Sequence, residues 1–381
     1  MIERSHICFV VGARPNFVKV APLLRAMRRY PAHACSLVHT GQHESEEMAG
    51  TFFRDLELPK PAYHLGVGDG SPAQRIARII ERFESVLLRE RPALVVVVGD
   101  VDSTLAAALA TVKIPGHLLA HVEAGLRSFN RRMPEEVNRV VVDHLSDILF
   151  ITEESARANL LREGIDPARM HDVGNVMIDA LSHMRARGVT SPVIARYGLS
   201  ATPYAVVTIH RPENVDARAT LQSLLQSIAR VAEQITCVWP VHPRTSARLQ
   251  EFGFMEEVEE MRRTARIVMV EPQCYPSMVA LLQEARVVLT DSGGLQEEAT
   301  ALGIPCGTLR EETERPITVT VGTNTIVGTS SDAIVRFVQE TLRQPKCTTP
   351  KLPPLWDGHA AERMTRIMDH VLTHTVAHAH A

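Results

Sequence analysis

Three acidic residues stand where they could move protons. Asp100 follows the apolar run ALVVVVG, and Glu123 closes the apolar run HLLAHV. Glu135 stands beside Glu136 in the first turn of a helix predicted to begin at Pro134. Packing does not explain a carboxylate at the end of an apolar strand, so we predict acid/base chemistry. A turn role for Asp100 and helix-dipole complementarity for Glu135 are the structural alternatives.

A pair of glycines in VLTDSGGLQEEATALGIP predicts an anion site. We expect a strand to end near Thr290, a turn at Ser292, Gly293 and Gly294, and a helix from about Leu295. The N–H groups in the first turn of a helix are unpaired, and the missing Cβ atoms let a phosphate approach them. An ordinary turn capped by Ser292 is the alternative. The stretch matches neither Walker A nor GxGxxG.

An Arg-Pro pair occurs at three strand–loop junctions, with Arg14, Arg211 and Arg315 as the cations. A cation at a helix N-terminus opposes the macrodipole, which favours negative charge there. The repetition therefore predicts a site for a diphosphate. Lys19, in the same helix as Arg14, could face that anion, although a surface lysine is the commoner outcome.

Two histidines end predicted strands in the second half of the chain. His210 opens HRPEN and could donate to a phosphate or a sugar hydroxyl, with Glu213 pairing to Arg211. His242 in WPVHPRT occupies a similar position. We predict both as ligand-binding residues, and a satisfied structural histidine remains the alternative for each.

These residues need an α/β framework, and the sequence predicts one. Short β-branched runs precede amphipathic ones: HICFVV before 14–30, ACSLVHT before 43–54, ALVVVVG before 102–113, PGHLLAHV before 134–146 and DILFIT before 153–163. The alternation restarts at PYAVVTI, ITCVWPV, ARIVMVE, ARVVLTD and IPCGTL. The pattern is typical of two doubly wound parallel sheets. Asp102 or Ser103 is expected to cap the helix that follows Asp100.

The length of 381 residues exceeds one ordinary core, so we predict two domains. Gly, Pro and Ser interrupt the pattern at 185–203, which is the predicted linker between an N-terminal domain, 1–182, and a C-terminal domain, 183–357. A last helix over 358–376 is predicted to pack back on the first domain. Ligands of such sheets bind at the carboxyl ends of the strands, so the site is expected between the domains.

Composition excludes several classes of function. A net charge of -3 and a pI near 6.6 leave no basic footprint for nucleic acid. The start MIERSH lacks a signal-peptide core, and no apolar run is long enough to span a bilayer, so we expect a cytoplasmic protein without a membrane partner. The six cysteines form no CxxC pair and are predicted to be buried thiols. The histidine-rich tail is not expected to bind metal, and no metal site is predicted.

Ten motifs occur in order and together resemble the non-hydrolysing UDP-N-acetylglucosamine 2-epimerases. They are GARPNFVKVAPL, TGQHE, GDVDSTLAAAL, HVEAGLRS, MPEEVNR, VGNVMIDAL, HRPEN, PVHPRT, TDSGGLQEEA and TERPITVTVGTN. The resemblance implies a glycosyltransferase-B-like fold of two Rossmann-like domains. It also implies interconversion of UDP-N-acetylglucosamine (UDP-GlcNAc) and UDP-N-acetylmannosamine (UDP-ManNAc), usually by a homodimer, for cell-surface polysaccharide synthesis.

The resemblance also assigns roles to residues. Asp100, Glu123 and Glu135 match the essential carboxylates of the family, and His210 matches its essential histidine. Arg14 and Lys19 match residues near the diphosphate. The nucleotide site is matched by Ser292, Gly293, Gly294 and Glu298, with the β-phosphate at the helix N-terminus and the ribose on Glu298.

The chemistry favours elimination over oxidation. The sugar C2 proton is not acidic, so inversion needs either a nicotinamide or loss of the anomeric UDP. No GxGxxG follows a predicted strand, and GVGDGS at 66–71 reads as a loop, so no cofactor is predicted. The resemblance implies a 2-acetamidoglucal intermediate, to which UDP is added back after protonation of the opposite face.

Several positions depart from the common family pattern. Glu44 and Ser45 replace residues of a regulatory UDP-GlcNAc site, and Met278 replaces an aromatic residue near uracil. Val101 and Pro212 also differ. Another UDP-2-acetamido sugar, such as a 2,3-diacetamido uronate, therefore remains an alternative substrate. A hydrolysing epimerase, a glycosyltransferase and a non-catalytic sugar-nucleotide sensor are the other hypotheses.

Overall fold

The computed structural model describes residues 5–42, 50, 53–264, 266–346 and 350–379. The chain divides into two compact units. The first unit is Met1–Ala180 together with Pro354–Ala381, and the second unit is Leu181–Pro353. Within the described ranges, no helix combines the length and the apolar character needed to span a bilayer.

The first unit is built on a parallel sheet of seven strands in the order β3-β2-β1-β4-β5-β6-β7. The strands are β1 Ser5–Val11, β2 His33–His39, β3 Tyr63–His64, β4 Leu94–Val98, β5 Leu118–Ala124, β6 Ile148–Ile151 and β7 Met170–Asp172. The helices are α1 Arg14–Met27, α2 Pro72–Glu90, α3 Asp102–Val112, α4 Pro134–Leu145, α5 Glu154–Arg162 and α6 Val176–Ala186, with a 3-10 turn at Pro167–Arg169; the part of α6 from Leu181 onward belongs to the second unit. Every residue of β4 is buried, as expected of a central parallel strand covered by helices on both faces.

The second unit repeats the plan with six parallel strands in the order β10-β9-β8-β11-β12-β13. The strands are β8 Tyr204–Thr208, β9 Thr236–Pro240, β10 Ile267–Val270, β11 Val287–Thr290, β12 Cys306–Thr308 and β13 Asn324–Ile326. The helices are α7 Pro192–Arg196, α8 Pro212–Val215, α9 Arg218–Ala232, α10 Pro243–Glu251, α11 Met255–Thr264, α12 Tyr275–Glu284, α13 Gly293–Leu302, α14 Pro316–Thr320 and α15 Ser331–Arg343, with a 3-10 turn at Leu199–Ala201.

Each sheet has one point where the strand order reverses direction. The first sheet reverses between β1 and β4, and the second reverses between β8 and β11. At such a switch point the connections on either side leave in opposite directions and open a crevice at the strand carboxyl ends. The residues that follow these four strands are therefore placed to meet a ligand.

The C-terminal helix, α16 Ala360–Ala379, belongs to the first unit. Asp179 accepts the N–H groups of Ala360 and Ala361 at 3.2 and 2.7 Å, and Arg363 Nε donates to the Val173 carbonyl at 2.8 Å. Burial raises the pKa of Asp179 to about 6. The start of α16 is thus fixed by a buried carboxyl group that the sequence does not single out.

The predicted linker at 185–203 is instead part of the second unit. Its apolar side chains Val193, Ile194 and Leu199 are buried in the core cluster that also contains Tyr204. Gly and Pro in this stretch separate the short helix α7 from a 3-10 turn, so the break in periodicity reflects short elements rather than an exposed connection.

One other local expectation is corrected. The helix α3 has Val101 at its N-cap with no side-chain cap, rather than Asp102 or Ser103, and Asp102 pairs with Arg75 at 2.7 Å. The edge strands β3, β7 and β13, of two or three residues each, are too short to show an alternation in the sequence. The helix predicted over 43–54 falls largely outside the described residues.

The five cysteines within the described ranges are free, and they differ in burial. Cys8, Cys237 and Cys306 are buried, and burial raises the pKa of each thiol to about 12. Cys35 and Cys274 are exposed, so the prediction of burial is wrong for these two. Cys35 precedes the part of β2 that pairs with β3, which explains its exposure. Cys347 lies outside the described residues.

Candidate active site

The turn between β1 and α1 is held by Asn16. Its Oδ1 accepts the N–H groups of Gly12 and Ala13, each at 3.0 Å, and its Nδ2 donates to the Val98 carbonyl at 2.9 Å. A Cβ on Gly12 would overlap the side chain of Ser103, so only glycine fits this turn. Asn16 therefore ties the start of α1 to the end of β4.

Lys19 and Glu123 form a buried ion pair in the first unit. The ammonium of Lys19 contacts Glu123 Oε2, and the two residues are 7 and 5% exposed. Glu123 has a φ of 75°, and the register between β5 and β6 shifts between Val122 and Ala124. A bulge of this kind re-aims a side chain at a sheet edge. Lys19 is thus a buried residue whose ammonium group is paired with Glu123, and it is not a surface lysine.

Asp100 is more accessible than Glu123, with 27% of its side chain exposed. Arg139 Nε lies 3.5 Å from Asp100 Oδ2, and Asn138 Nδ2 donates to the Asp100 carbonyl at 2.8 Å. The guanidinium of Arg139 is 2% exposed, and its Nη1 has no hydrogen-bond partner among the described residues. The Asp100 carboxyl group therefore lies beside a buried cation that stays charged.

Glu135 and Glu136 have different surroundings although they are adjacent. Glu136 is buried and accepts the Ser128 N–H at 2.8 Å and the Phe129 N–H at 2.9 Å, so it shapes the loop before α4. Glu135 is half-buried, and within the described part of the chain its carboxylate has no hydrogen-bonding or ionic partner. Of the two, Glu135 is the one available to a ligand.

The first-unit residues converge at the ends of β1, β4 and β5. A Cβ added to Gly99 would lie 3.2 Å from Lys19 Nζ and 3.5 Å from Glu123 Oε2, and the next residue is Asp100. Arg14 is half-buried at the start of α1, and burial lowers the pKa of its guanidinium. A cation in that position at a helix N-terminus favours binding of an anion.

In the second unit, Asp291 organises the end of β8. Its carboxylate accepts the backbone N–H groups of His210 and Arg211 at 2.9 Å each and the Asn214 side chain at 3.0 Å. His210 Nδ1 lies 3.1 Å from Asp291 Oδ1. Burial acts to raise the pKa of Asp291, but these bonds hold it below its ordinary value. The ionised carboxylate fixes the orientation of His210.

His242 lies next to His210, with ring centroids 5.0 Å apart. His242 is the N-cap of α10, and its Nδ1 accepts the Arg244 N–H at 3.1 Å. A ring that accepts through Nδ1 carries its proton on Nε2. His242 therefore has the structural role that the sequence left open, and it also stands beside His210.

The glycines of α13 lie in the first turn of the helix itself. The helix begins at Gly293 rather than near Leu295, and Ser292 is the N-cap but makes no side-chain cap bond. Neither Gly293 nor Gly294 has a positive φ. A Cβ on Gly293 would lie 3.4 Å from the Arg315 Cζ, in van der Waals contact with the guanidinium, so a larger side chain would meet it. The helix N-terminus and this cation form one positive locus.

The other two arginines of this region, Arg211 and Arg310, differ in their partners. Arg310 binds Glu314 through two bonds of 2.8 and 3.1 Å and lies 3.6 Å from Glu213. The predicted pairing of Glu213 with Arg211 is therefore not observed. Burial acts to raise the pKa of Glu314, but Arg310 with Arg315 and Arg211 lowers it to about 2. Nε of Arg211 is buried without a hydrogen-bond acceptor in the described part of the chain.

Glu298 lies one turn inside α13 and is fully buried. Burial raises the pKa of its carboxyl group to about 7, opposed by the Tyr275 hydroxyl and assisted by Glu297. Glu297 is instead bound by Arg315 Nε at 2.7 Å. Near neutral pH, Glu298 is therefore present in both protonated and ionised forms and can accept or donate a hydrogen bond to a hydroxyl group.

The positions that depart from the common family pattern lie in different parts of the fold. Val101 is the N-cap of α3, Pro212 begins α8, and Met278 lies in α12 against a core cluster. Glu44 and Ser45 lie outside the described residues. Across the described ranges, no group of three or more His, Cys, Asp or Glu side chains is placed to hold a metal ion.

Sequence reasoning missed Asp291, Asn16 and Arg139. Asp291 lies within the motif TDSGG, which was interpreted from its glycines alone. It is an acid at the end of an apolar strand, the same signal that identified Asp100 and Glu123 as candidates. Asn16 and Arg139 lie within GARPN and EEVNR and carry no signal that distinguishes them from solvated residues.

Comparison with known proteins gives a consistent result. The family model described as UDP-N-acetylglucosamine 2-epimerase matches residues 25–369. The chain is 38% identical over 367 residues to a UDP-N-acetylglucosamine 2-epimerase of Methanocaldococcus jannaschii, covering 95% of this chain and 98% of that protein. It is 39% identical over 341 residues to a UDP-2,3-diacetamido-2,3-dideoxy-D-glucuronate 2-epimerase of Pseudomonas aeruginosa, covering 88 and 92%.

The fold agrees with a solved structure as well. The crystal structure of the Methanocaldococcus jannaschii UDP-GlcNAc 2-epimerase in complex with UDP-GlcNAc and UDP is similar, with a TM-score of 0.87 at 38% identity. The alignment covers 96% of this chain and 99% of that one. The predicted fold class, two doubly wound parallel sheets of the glycosyltransferase-B-like type, is confirmed.

Proposed function

The chain belongs to the UDP-N-acetylglucosamine 2-epimerase family, and from that premise we propose that it interconverts UDP-GlcNAc and UDP-ManNAc by eliminating UDP and adding it back. It is an epimerase, an enzyme of the isomerase class. The observation that carries the proposal is the positive locus at the start of α13, where Arg315 lies over Gly293. A leaving diphosphate needs such a locus.

The second unit binds the nucleotide. The unpaired N–H groups in the first turn of α13 and the guanidinium of Arg315 receive the diphosphate. Arg211, whose buried Nε is without an acceptor in the described ranges, offers a further donor. Glu298 is buried close to the same turn and binds a ribose hydroxyl. His210 and His242, neighbouring rings at the ends of β8 and β9, donate to the phosphate or the sugar.

The first unit supplies proton transfer. Asp100 and Glu123 stand at the ends of neighbouring strands, and each lies near a buried cation, Arg139 and Lys19 respectively. Glu135 adds a third carboxyl group without a protein partner in the described ranges. Arg14 adds positive charge at the start of α1. Both proton removal from one face of C2 and proton delivery to the other need groups of this kind.

The reaction balances without an oxidant. A carboxylate removes the C2 proton, the C2–H electrons form the C1–C2 double bond, and the C1–O electrons leave with UDP. The product is a 2-acetamidoglucal. Protonation of the opposite face of C2 and return of the UDP oxygen to C1 give the epimer. The α13 terminus and the arginines lower the barrier by stabilising the departing negative charge.

Product analysis tests the proposal. The protein is incubated with UDP-GlcNAc, and the sugars are followed by NMR. The proposal predicts an equilibrium mixture of UDP-GlcNAc and UDP-ManNAc with no accumulation of free sugar. Free N-acetylmannosamine with an equal amount of UDP would show a hydrolysing epimerase instead, and UDP release only with an added acceptor would show a glycosyltransferase. An Asp100→Asn variant serves as the inactive control.

A UDP-2,3-diacetamido uronate is the second candidate substrate. The chain is as similar to the Pseudomonas aeruginosa enzyme that bears this name as to the Methanocaldococcus jannaschii enzyme, at 39 and 38% identity. The two substrates differ at C3 and C6, so kcat/KM measured for both decides between them. A ratio in favour of the uronate would overturn the proposed substrate while leaving the chemistry unchanged.

We further propose that the enzyme acts as a homodimer in the cytoplasm and supplies an activated sugar for cell-surface polysaccharide. The family resemblance supports each of these statements. Light scattering in solution tests the dimer. Loss of an N-acetylmannosamine-containing polysaccharide on gene deletion, restored by the intact gene, tests the cellular role.

A further inference from the structure

A buried histidine, His121, lies two residues before Glu123 in β5. Its side chain is fully buried. Nδ1 lies 2.6 Å from Asp143 Oδ1 in α4, and Nε2 lies 2.8 Å from the carbonyl oxygen of Gly99. Neither partner can donate a proton if Asp143 is ionised, since a carbonyl and a carboxylate only accept.

The partners of Asp143 show that it is ionised. Its second oxygen, Oδ2, accepts the Gly125 N–H at 3.0 Å and lies 2.7 Å from Arg127 Nη1. Arg127 also binds Glu163 at 2.7 Å. Burial acts to raise the pKa of Asp143, but His121 and Arg127 lower it below its ordinary value. A carboxyl group surrounded by donors on both oxygens has no place for a proton of its own.

The His121–Asp143 pair connects the end of β4 to β5. Gly99, which has a φ of 68°, donates its N–H to the Val122 carbonyl at 3.1 Å and accepts from His121, so both of its polar backbone groups are bound to β5. Asp143 in turn holds Gly125, two residues after Glu123. The pair therefore restrains the backbone directly before Asp100 and on both sides of the bulge that carries Glu123.

We propose that His121 is a doubly protonated imidazolium and that, with Asp143, it is a positioning residue that keeps Asp100 and Glu123 in fixed relation to the sugar. The inference rests on the proposed function for its catalytic part only. Catalysis by paired carboxylates is sensitive to displacements of about 1 Å, which can lower a rate by roughly a hundredfold. A rigid charged pair in the strand ends limits such displacement.

The charge state is tested on the wild-type enzyme. The protein is labelled with 15N-histidine, and long-range 1H–15N spectra are recorded at neutral pH, with the His121 ring assigned by its loss in His121→Gln. We expect both ring nitrogens of His121 to carry protons. A ring with one unprotonated nitrogen would overturn the proposal. This measurement does not depend on the reaction.

The positioning role is tested by kinetics against a matched control. His117 directly precedes β5, at the end of the strand away from Glu123, and its Nδ1 lies 2.6 Å from the Pro92 carbonyl oxygen. His121→Gln should lower kcat for epimerisation roughly ten- to hundredfold and release more glycal with UDP per turnover, while KM stays within about twofold. His117→Gln should retain the wild-type kcat and glycal fraction. Asp143→Asn should resemble His121→Gln.

Two results separate a structural role from a positioning role. A His121→Gln protein that is less stable but has the wild-type kcat and glycal fraction per folded molecule contradicts the proposal. Binding of UDP, which the second unit provides, should stay unchanged and shows that the variant is folded. If the wild-type enzyme forms no epimer from any UDP-2-acetamido sugar, the proposed function is wrong. The NMR experiment still tests the charge state of His121, because it does not use the reaction.

Discussion

At the scale of single residues, the candidate carboxylates are distinguished by their partners. Glu123 is buried against Lys19, Asp100 is half-buried near Arg139, and Glu135 has no partner in the described ranges. Burial of an ion pair makes each member dependent on the other, because a lone buried charge is poorly solvated. The three groups therefore respond differently to removal of a cation.

Replacement of Lys19 by Met should remove activity and also destabilise the first unit. The change leaves Glu123 buried without its cation, which costs roughly 3–5 kcal/mol. Urea unfolding gives the free energy, and the epimerisation assay gives the rate. Lys60→Met, at an exposed position, is the matched control and should leave both unchanged. Wild-type stability in Lys19→Met would contradict the buried ion pair.

Glu298 should give the stability of the second unit a pH dependence. Its pKa is raised by burial from 4.5 to about 7, so the folded state binds the proton more tightly than the unfolded state. The associated stability is fully present below pH 4.5 and is lost as pH rises through about 7. Relative to wild type, Glu298→Gln should gain roughly 3 kcal/mol in unfolding free energy across that window.

The measurement compares denaturant unfolding of wild type and Glu298→Gln at the two ends of the window. Glu312→Gln, at an exposed position, serves as the control for loss of one charge. An equal difference between wild type and Glu298→Gln at both pH values would mean that Glu298 is ionised in the folded state, and the buried neutral carboxyl would be rejected.

The placement of a residue was predictable where a strand end carried an unexplained charge. Asp100, Glu123 and the Arg-Pro cations were predicted as site residues in this way, and the structure places each at a strand end or helix start. The pairing of Lys19 with Glu123 was not predictable, since 104 residues separate them in the chain. The proximity of Arg310 to Glu213 was not predictable either, because Arg211 is closer to Glu213 in the sequence and was the partner expected from it.

At the scale of elements, the first turn of α13 brings Gly293 close to Arg315. The backbone there is helical, so no positive φ requires glycine, and an added Cβ would be in van der Waals contact with the guanidinium of Arg315. Periodicity predicted the helix, but it placed the start two residues late because glycine is a poor helix former and suggests a turn. The close approach of a distant side chain leaves no trace in a local pattern.

Replacement of Gly293 by Val should weaken UDP binding. The added side chain displaces the guanidinium of Arg315 and covers the first-turn N–H groups, each hydrogen bond to a charged group being worth about 1.5–3 kcal/mol. The Kd for UDP, measured by calorimetry, should rise roughly tenfold or more. Gly50→Val, where an added Cβ meets nothing within 4 Å, should bind UDP as the wild type does. An unchanged Kd in Gly293→Val would remove α13 from the nucleotide site.

The segment that leads into α16 should depend on Gly174. This glycine has a φ of 82°, and a Cβ there would overlap the carbonyl of Leu355. Gly174→Ala should lower Tm and raise hydrogen exchange at the start of α16. Gly188→Ala, with a φ of 62° but open space around it, controls for backbone strain alone, which costs about 1 kcal/mol. Equal effects of the two changes would contradict a tight packing of the segment.

At the scale of the whole molecule, the repeated alternation of strand and helix predicted both sheets. Each sheet then places most of its candidate site residues at or beside its switch point, in the first unit at the ends of β1, β4 and the neighbouring β5, and in the second at the ends of β8, β11 and the neighbouring β9. The short edge strands β3, β7 and β13 were missed, because two or three residues cannot establish a period. The stretch at 185–203 was misinterpreted, because short helices interrupted by Gly and Pro resemble a linker.

Solvent exchange at C2 of the sugar tests the central claim most directly. The enzyme is incubated with UDP-GlcNAc in D2O, and both UDP-sugars are examined by NMR at C2. Elimination and re-addition through first-unit carboxylates predict deuterium at C2 in UDP-ManNAc and, at equilibrium, in UDP-GlcNAc. UDP-ManNAc that retains its original C2 hydrogen would contradict the account, because no carboxylate would then have exchanged that proton with solvent.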